Sequence, residues 1–339
     1  MLKRILTFLI LGLILALVIN RLYEAYLRPD NLFFSKCIER SKEWEQYIRQ
    51  KNQPCYVFAG GSEVRMGIDP EVMWEKHQIA AINAGVQAGN GIRCNIQSAL
   101  PFTKPGDTLV VSLRLTPDSK PVEDISHAGI NFCFKHQGFS MFNEGIVPVN
   151  YETINPLVTG DAINYCIHVM RLLTRPECIY RYESAQNASI NKGGRVEVFL
   201  TNEQKVKLPH IVLKPHSEHT KPTFDNWTSM LEELKNECER RSVRLVAYIS
   251  RAHQCREYRQ YYAYLAFYLT KHGIPVIKDS YLGVWEDGLA FSDTSLHLSV
   301  EAGREYSAEL ASWLKSGEFF SEAELKSIID AEGVRLEIP

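Results

Sequence analysis

The sequence lacks cysteine pairs at metal-binding spacing, an excess of either charge, internal repeats and low-complexity tracts. Its eight cysteines are scattered without a CxxC pair, which argues against a zinc knuckle or a thioredoxin-like redox site, and their spacing does not show which of them form disulfides. A net charge of −2 gives no electrostatic basis for binding nucleic acid. Three histidines cluster in 208–219, where no regular scaffold is predicted, so we expect no metal and no other cofactor.

What is present is the composition of an ordinary globular protein. Hydrophobic residues make up 45% of the chain and charged residues 23%, so a sizeable core is expected. A length of 339 residues allows one large domain or two.

The N-terminus carries the longest apolar run. Lys3 and Arg4 precede residues 5–19, which are uncharged and almost wholly aliphatic. A membrane span takes roughly 17–25 residues, and snorkelling basic side chains extend this shorter run. The run predicts an uncleaved anchor over 1–22; a cleaved signal peptide and a buried helix are the alternatives, and no small-x-small cleavage motif precedes Asn20. The leading basic residues predict a single-pass membrane protein whose N-terminus is cytoplasmic and whose main domain is extracytoplasmic or periplasmic.

The rest of the chain alternates short apolar runs with helical segments. Residues 23–53 predict a helical stalk or a first packing helix, and 54–339 predict one α/β domain with an insertion at about 116–222. Within the insertion the sequence predicts a helix near 159–174 and a strand at Val196–Leu200. The predicted strands are 55–59, 79–84, 108–113, 243–249 and 273–277, and the predicted helices outside the insertion are 70–77, 92–101, 226–241, 256–272, 300–315 and 321–331. This alternation predicts a parallel sheet of about five strands in a flavodoxin-like, three-layer αβα fold.

The first predicted strand leads into a candidate nucleophile. The run 56–59 is bounded by Gly60 and Gly61, which allow a sharp turn and display Ser62 at the carboxyl end of the strand. Parallel sheets collect their ligands at that edge. Asp69 and Pro70 then predict a helix start. The alternative is a tight strand-to-helix turn without chemistry.

A second candidate group follows the last predicted strand. Asp293 and His297 lie just before the final long helix, in a loop that would open at the same sheet edge as Ser62. A histidine base and a carboxylate that orients it are the two groups that a serine hydroxyl needs to become a nucleophile. A surface or capping histidine is the alternative.

Together these motifs resemble the SGNH (GDSL-like) hydrolase superfamily over two blocks, 54–115 and 242–316. The resemblance implies that Ser62 is the nucleophile, that Asp293 and His297 complete the triad, and that Gly85, in Asn83-Ala84-Gly85, donates its amide to the oxyanion hole.

Gly60-Gly61-Ser62, followed by residues 67–70 (Gly-Ile-Asp-Pro), is most similar to the membrane-anchored envelope members of that superfamily. Those relatives commonly accompany O-acylation of cell-surface polysaccharide or teichoic acid. The resemblance therefore implies an acyl donor or acylated glycan as substrate and a membrane-bound acyltransferase as partner.

Three positions depart from the family pattern. Gly61 stands where an aspartate usually precedes the serine, and Asp293 and His297 are one residue further apart than usual. The third block runs into Ser112-Leu113-Arg114-Leu115 and lacks the usual asparagine donor. Arg114 is the candidate replacement at the oxyanion or substrate, although a structural ion pair would explain it equally well.

The sequence thus predicts a membrane-anchored serine esterase or O-acyltransferase that forms an acyl-Ser62 intermediate on envelope polysaccharide. One alternative is a catalytically decayed accessory or glycan-binding protein of the same kind of system. A secreted lipase or esterase is the other. The sequence does not choose between hydrolase and transferase.

Overall fold

A computed structural model of the protein describes residues 2–26, 29–112, 130, 132–133, 188–198, 225–253, 257–285, 290–291 and 296–331. The helices are α1 (Leu2–Tyr26), α2 (Pro29–Arg49), α3 (Ser62–Gly67), α4 (Pro70–His77), α5 (Ile92–Ala99), α6 (Asp225–Arg240), α7 (Glu257–Lys271), α8 (Val300–Ser316) and α9 (Glu322–Ala331), with 3-10 turns at Ala88–Asn90 and Leu100–Phe102. The strands are β1 (Tyr56–Ala59), β2 (Ala81–Asn83), β3 (Thr108–Ser112), β4 (Ala188–Ile190), β5 (Val196–Val198), β6 (Arg244–Tyr248), β7 (Ala252–His253) and β8 (Val284–Trp285).

The predicted parallel sheet is confirmed, with the strand order β2-β1-β3-β6. In the centre of the sheet Val57 pairs with Ile82 on one side and with Leu109 on the other. The fifth predicted strand, 273–277, is reduced to a parallel bridge between Val276 and Ala247 beyond β6. Four strands are therefore formed where about five were predicted.

Both faces of the sheet are buried, which is why its strands read as continuous apolar runs. Val57 and Leu109 point into a core shared with α2, α5, α6 and α7. Their neighbours Phe58 and Val110 point into a second core shared with α8 and the α3–α4 segment. Helices therefore cover both faces, and the carboxyl ends of β1, β2, β3 and β6 meet at one edge.

Residues 29–49, part of the predicted stalk or first helix, pack directly on the sheet as α2. The Trp44 indole donates a 2.8 Å hydrogen bond to the carbonyl of Ala81, and the Ser41 hydroxyl donates a 2.6 Å bond to that of Asn83. Both carbonyls belong to β2, so α2 protects an outer strand of the sheet.

The predicted helix starts have the expected caps. The Asp69 carboxylate accepts hydrogen bonds from the first-turn amides of α4, and Pro70 follows it. The Ser299 hydroxyl accepts from the Ala302 amide at the start of α8. The sequence did not predict α3, which begins at Ser62 itself.

Within the insertion the structure describes residues 130, 132 and 133 and the antiparallel hairpin formed by β4 and β5. Its predicted helix at 159–174 lies outside the described residues. A disulfide joins Cys94 in α5 to Cys133, with 6.1 Å between their Cα atoms.

The N-terminal run lies in α1, where Phe8 and other large apolar side chains are exposed. Within the part of the chain that the structure describes, no helix has both the length and the apolar character needed to span a bilayer.

Candidate active site

Ser62 lies at the carboxyl edge of the sheet because the chain turns sharply after β1. A Cβ on Gly60 would collide with Val64 Cγ2 and lie 3.0 Å from Ser112 Cβ, so the turn packs more closely than a larger residue allows. Helix α3 follows the turn directly, and Ser62 is its first residue. Its side chain is half-buried and so remains accessible from solvent.

The structure brings His297 to Ser62, although 235 positions separate them in sequence. His297 Nε2 and Ser62 Oγ are 2.9 Å apart. Leu298, the residue after His297, forms an antiparallel bridge with Phe291, and Ser299 caps α8, so the chain that follows the histidine is fixed. When the imidazole proton is on Nδ1, Nε2 accepts the serine hydroxyl hydrogen, as a general base must.

Two of the predicted site residues, Asp293 and Arg114, lie outside the described residues. Their predicted roles, the orienting carboxylate and the replacement oxyanion donor, therefore stay predictions.

Gly85 lies beside α3, but its amide is already in use. The Gly85 N–H donates a 3.0 Å hydrogen bond to Asn83 Oδ1, and its carbonyl accepts a 2.6 Å bond from Arg65 Nε. The backbone N–H groups of Ser62 and Glu63, in the first turn of α3, have no acceptor among the residues that the structure describes. In this conformation the Ser62 and Glu63 amides have no partner among the described residues, whereas the Gly85 amide has one.

Asn83 is a positioning residue that sequence reasoning missed. Its buried side-chain amide donates to the carbonyls of Val64 and Ile68 at 3.0 and 2.8 Å, and its oxygen accepts from Gly85. One side chain thus holds the far end of α3 against the loop after β2. The only signal was an asparagine near the end of a predicted apolar strand.

Arg65 was also missed, and it lies fully buried behind the site. Besides Gly85 it donates to the Ser41 hydroxyl at 2.9 Å and to the Gly194 carbonyl at 2.7 Å. Burial lowers the pKa of this guanidinium from its ordinary value, because desolvation disfavours the charge. Arg65 therefore ties α3 to α2 and to the β4–β5 hairpin.

A buried polar cluster lies next to the nucleophile. The Glu63 carboxylate accepts a 2.9 Å hydrogen bond from the Gly61 amide, which fixes the turn before Ser62. The hydroxyls of Tyr248 and Ser112, at the ends of paired strands, are buried nearby. Burial raises the pKa of Tyr248 well above its ordinary value, and the nearby Glu63 carboxylate raises it further. Tyr248 is thus a neutral phenol, unsuited to act as a base at neutral pH.

Comparisons of the chain with known protein families, with curated proteins and with solved structures return no match. The likeness to SGNH hydrolases therefore rests on the residues quoted above.

Proposed function

We propose that the protein is a serine esterase or O-acyltransferase of the SGNH type that forms an acyl-Ser62 intermediate. The observation that supports this most directly is the 2.9 Å contact between Ser62 Oγ and His297 Nε2 at the carboxyl edge of a parallel sheet. Nucleophile and base within hydrogen-bond reach, at the edge where such sheets bind ligands, are the arrangement that covalent acyl transfer requires.

In the proposed reaction Ser62 Oγ attacks the carbonyl carbon of an ester while its proton moves to His297 Nε2. The negative charge on the former carbonyl oxygen is met by amide hydrogens at the start of α3, and Gly85 joins them if its bond to Asn83 opens. His297 returns the proton to the departing alcohol. Water or a sugar hydroxyl then attacks the acyl-enzyme, and His297 takes the proton of that second nucleophile. His297 passes this proton to Ser62 Oγ as the bond between the acyl group and the serine breaks, which restores the free enzyme.

Asp293 is proposed to orient the imidazole and to stabilise it while it carries the extra proton. Arg114 is proposed to assist at the oxyanion or the substrate. The positions of residues near them in sequence support both proposals. Arg114 comes two residues after the end of β3 at Ser112, and Asp293 comes four residues before His297, which contacts Ser62.

The proposed setting is the cell envelope, with an acylated glycan or acyl donor as substrate and a membrane-bound acyltransferase as partner. In this proposal residues 1–22 anchor a flavodoxin-like domain outside the membrane. The exposed apolar surface of α1 supports the proposed anchor. The Cys94–Cys133 disulfide supports a location outside the cytoplasm, since disulfides persist mainly in oxidising compartments.

One observation favours a second function, that of a catalytically inactive accessory or glycan-binding protein. The amide of Gly85, the expected oxyanion donor, is engaged by Asn83 Oδ1. Losing one oxyanion donor costs roughly 10²–10³ in turnover, so a site that lacked it permanently would be slow.

A fluorophosphonate probe separates the two functions, because Ser62 would displace fluoride from phosphorus only if it is activated. We expect the full-length chain to gain one adduct by intact mass, mapped to Ser62 by peptide sequencing. Ser62→Ala and His297→Ala should each abolish the adduct.

The matched control is Ser98→Ala. Ser98 is also half-buried, but its hydroxyl donates to the Cys94 carbonyl in α5, away from the site. This variant should label at the wild-type rate. A folded wild-type chain that gains no adduct would support the inactive accessory function instead.

A further inference from the structure

A buried arginine from the insertion joins the two segments that carry Ser62 and His297. Arg195 lies just before β5 and is fully buried. Its Nε donates a 2.7 Å hydrogen bond to the carbonyl of Met66 in α3. Its Nη1 and Nη2 donate to the carbonyls of Val300 and Ser299 at 3.1 and 3.0 Å, where α8 begins.

These acceptors flank the reacting pair. Met66 is four residues after Ser62 in the same helix, and Ser299 is two residues after His297. A single planar group therefore bonds to both backbones at once. Because its three N–H directions are fixed in one plane, the guanidinium sets the distance between those backbones more rigidly than a flexible ammonium group would.

The hairpin that carries Arg195 is itself fixed to α3 and α4. Asn191 Nδ2 donates to Asp69 Oδ2 at 3.2 Å, and the Gly193 amide donates to Glu71 Oε1 at 2.7 Å. Arg65 Nη1 donates to the Gly194 carbonyl at 2.7 Å. The loop between β4 and β5 is therefore anchored on the helices that follow β1.

The charge of Arg195 is balanced where it lies. Asp69 and Glu197 approach its Nη1 at 3.5 and 3.6 Å, and both also contact Arg304, whose side chain is half exposed. Burial lowers the pKa of Arg195, and the two carboxylates oppose that shift. A Cβ on Gly303 would collide with Arg195 Nη2 and lie 2.9 Å from its Cζ, so a larger residue at this position would displace the guanidinium.

We propose that Arg195 is a positioning residue that holds the Ser62 and His297 segments at reactive distance, so that the insertion completes the site. The inference rests on the proposed function, because it assigns a role in that same reaction. In this proposal the β4–β5 hairpin of the insertion contributes to catalysis, because it carries Arg195.

The test compares Arg195→Lys, Gly303→Ala and Arg304→Lys in the full-length chain. Arg304 is the matched control, because it belongs to the same ion cluster but bonds neither the Met66 nor the Ser299 carbonyl. Arg195→Lys should lower the rate of phosphonylation at saturating probe by on the order of 10²-fold, the cost of a misplacement of about 1 Å. The concentration of probe that gives half-saturation should stay unchanged.

Gly303→Ala should lower the same rate through displacement of the guanidinium. Its effect should shrink in the Arg195→Lys background, since both changes disturb one interaction. Circular dichroism at the assay temperature confirms that each variant is folded. If Arg195→Lys does not fold, Gly303→Ala decides, and a wild-type rate in that variant would overturn the proposal.

A second readout does not depend on reactivity. With histidine labelled by carbon-13 at Cε1, the His297 resonance, identified by its loss in His297→Ala, should shift in Arg195→Lys and stay in place in Arg304→Lys. If wild-type Ser62 forms no adduct with the fluorophosphonate, the proposed function is contradicted. The His297 resonance alone would then test whether Arg195 positions the histidine. An unmoved resonance and an unchanged rate in folded Arg195→Lys would overturn the inference.

Discussion

At the scale of single residues, Gly85 shows how little room the site has. A Cβ there would lie 2.6 Å from the Arg65 backbone nitrogen and 2.7 Å from Val64 Cβ. These are atoms of α3 close to its backbone, so a side chain at 85 can fit only if the helix that begins with Ser62 moves.

We therefore expect Gly85→Ala to lower the free energy of unfolding by about 1–3 kcal/mol, as overpacking does. The rate of fluorophosphonate labelling should fall as well, because α3 carries Ser62. Urea unfolding and the labelling rate are the two measurements.

Gly67→Ala is the matched control, since Gly67 ends the same helix. Among the residues that the structure describes, its added Cβ would meet Leu298 Cδ1 alone, at an ordinary 3.7 Å. The control should keep the wild-type rate and gain up to about 1 kcal/mol from helix propensity. Equal losses in both variants would show that α3 tolerates no change at all and that Gly85 is not special.

At the scale of elements, the start of α9 makes a pH-dependent contact. The Glu324 carboxylate accepts hydrogen bonds from the Ser321 amide and hydroxyl at 2.9 and 2.8 Å, and it pairs with Lys278. The Lys278 hydrogen bond, followed by those of Ser321, lowers the pKa of Glu324 from 4.5 to about 2. A carboxyl group whose pKa is lower in the folded state stabilises the fold above its unfolded pKa.

This contribution should be present above about pH 4.5 and disappear as the pH falls toward 2. We expect Glu324→Gln to unfold more easily than wild type at pH 6 and to converge with it near pH 2. Urea midpoints across that range are the measurement. The exposed contact should also weaken in high salt.

Glu322→Gln is the control, because Glu322 lies in the same first turn of α9 but forms no ion pair among the described residues. Its difference from wild type should be smaller at pH 6. An equal difference in the two variants would attribute the effect to the helix dipole rather than to the Lys278–Glu324 pair.

The same scale shows what a sequence can predict and why. β1, β3, α4 and α8 were predicted to within two residues because apolar runs and capping residues are local signals. The serine and histidine could be proposed because both follow predicted strands. Asn83, Arg65 and Arg195 could not be proposed, because most of their partners are backbone carbonyls in other segments of the chain. Every residue has a backbone carbonyl, so the sequence does not show which ones accept these hydrogen bonds. Of the β4–β5 hairpin, the sequence predicted a strand at Val196–Leu200 but not its partner strand β4.

At the scale of the whole molecule, the Cys94–Cys133 disulfide closes a loop whose ends are 39 residues apart. A cross-link of that length stabilises a fold by about 4 kcal/mol in the chain-entropy model. Replacing both cysteines by serine should lower the free energy of unfolding by an amount of that order, measured in urea. Cys238→Ala, at a buried free thiol, is the control and should cost less.

The redox state of Cys94 and Cys133 indicates the compartment in which the domain lies. In cells quenched with acid and treated with an alkylating reagent, Cys94 and Cys133 should escape alkylation if the domain lies outside the cytoplasm. Modification of both residues in the freshly made, folded protein would contradict the proposed extracytoplasmic location.

The reacting pair has a consequence for the newly made chain. His297 lies 235 positions after Ser62, with the insertion between them. While a ribosome is still adding the final strand and helices, the serine has already emerged but has no base. If Ser62 and His297 act as proposed, a nascent chain, or one truncated before His297, is therefore inert toward esters, and the reaction can begin only after almost the whole polypeptide has been synthesised and folded.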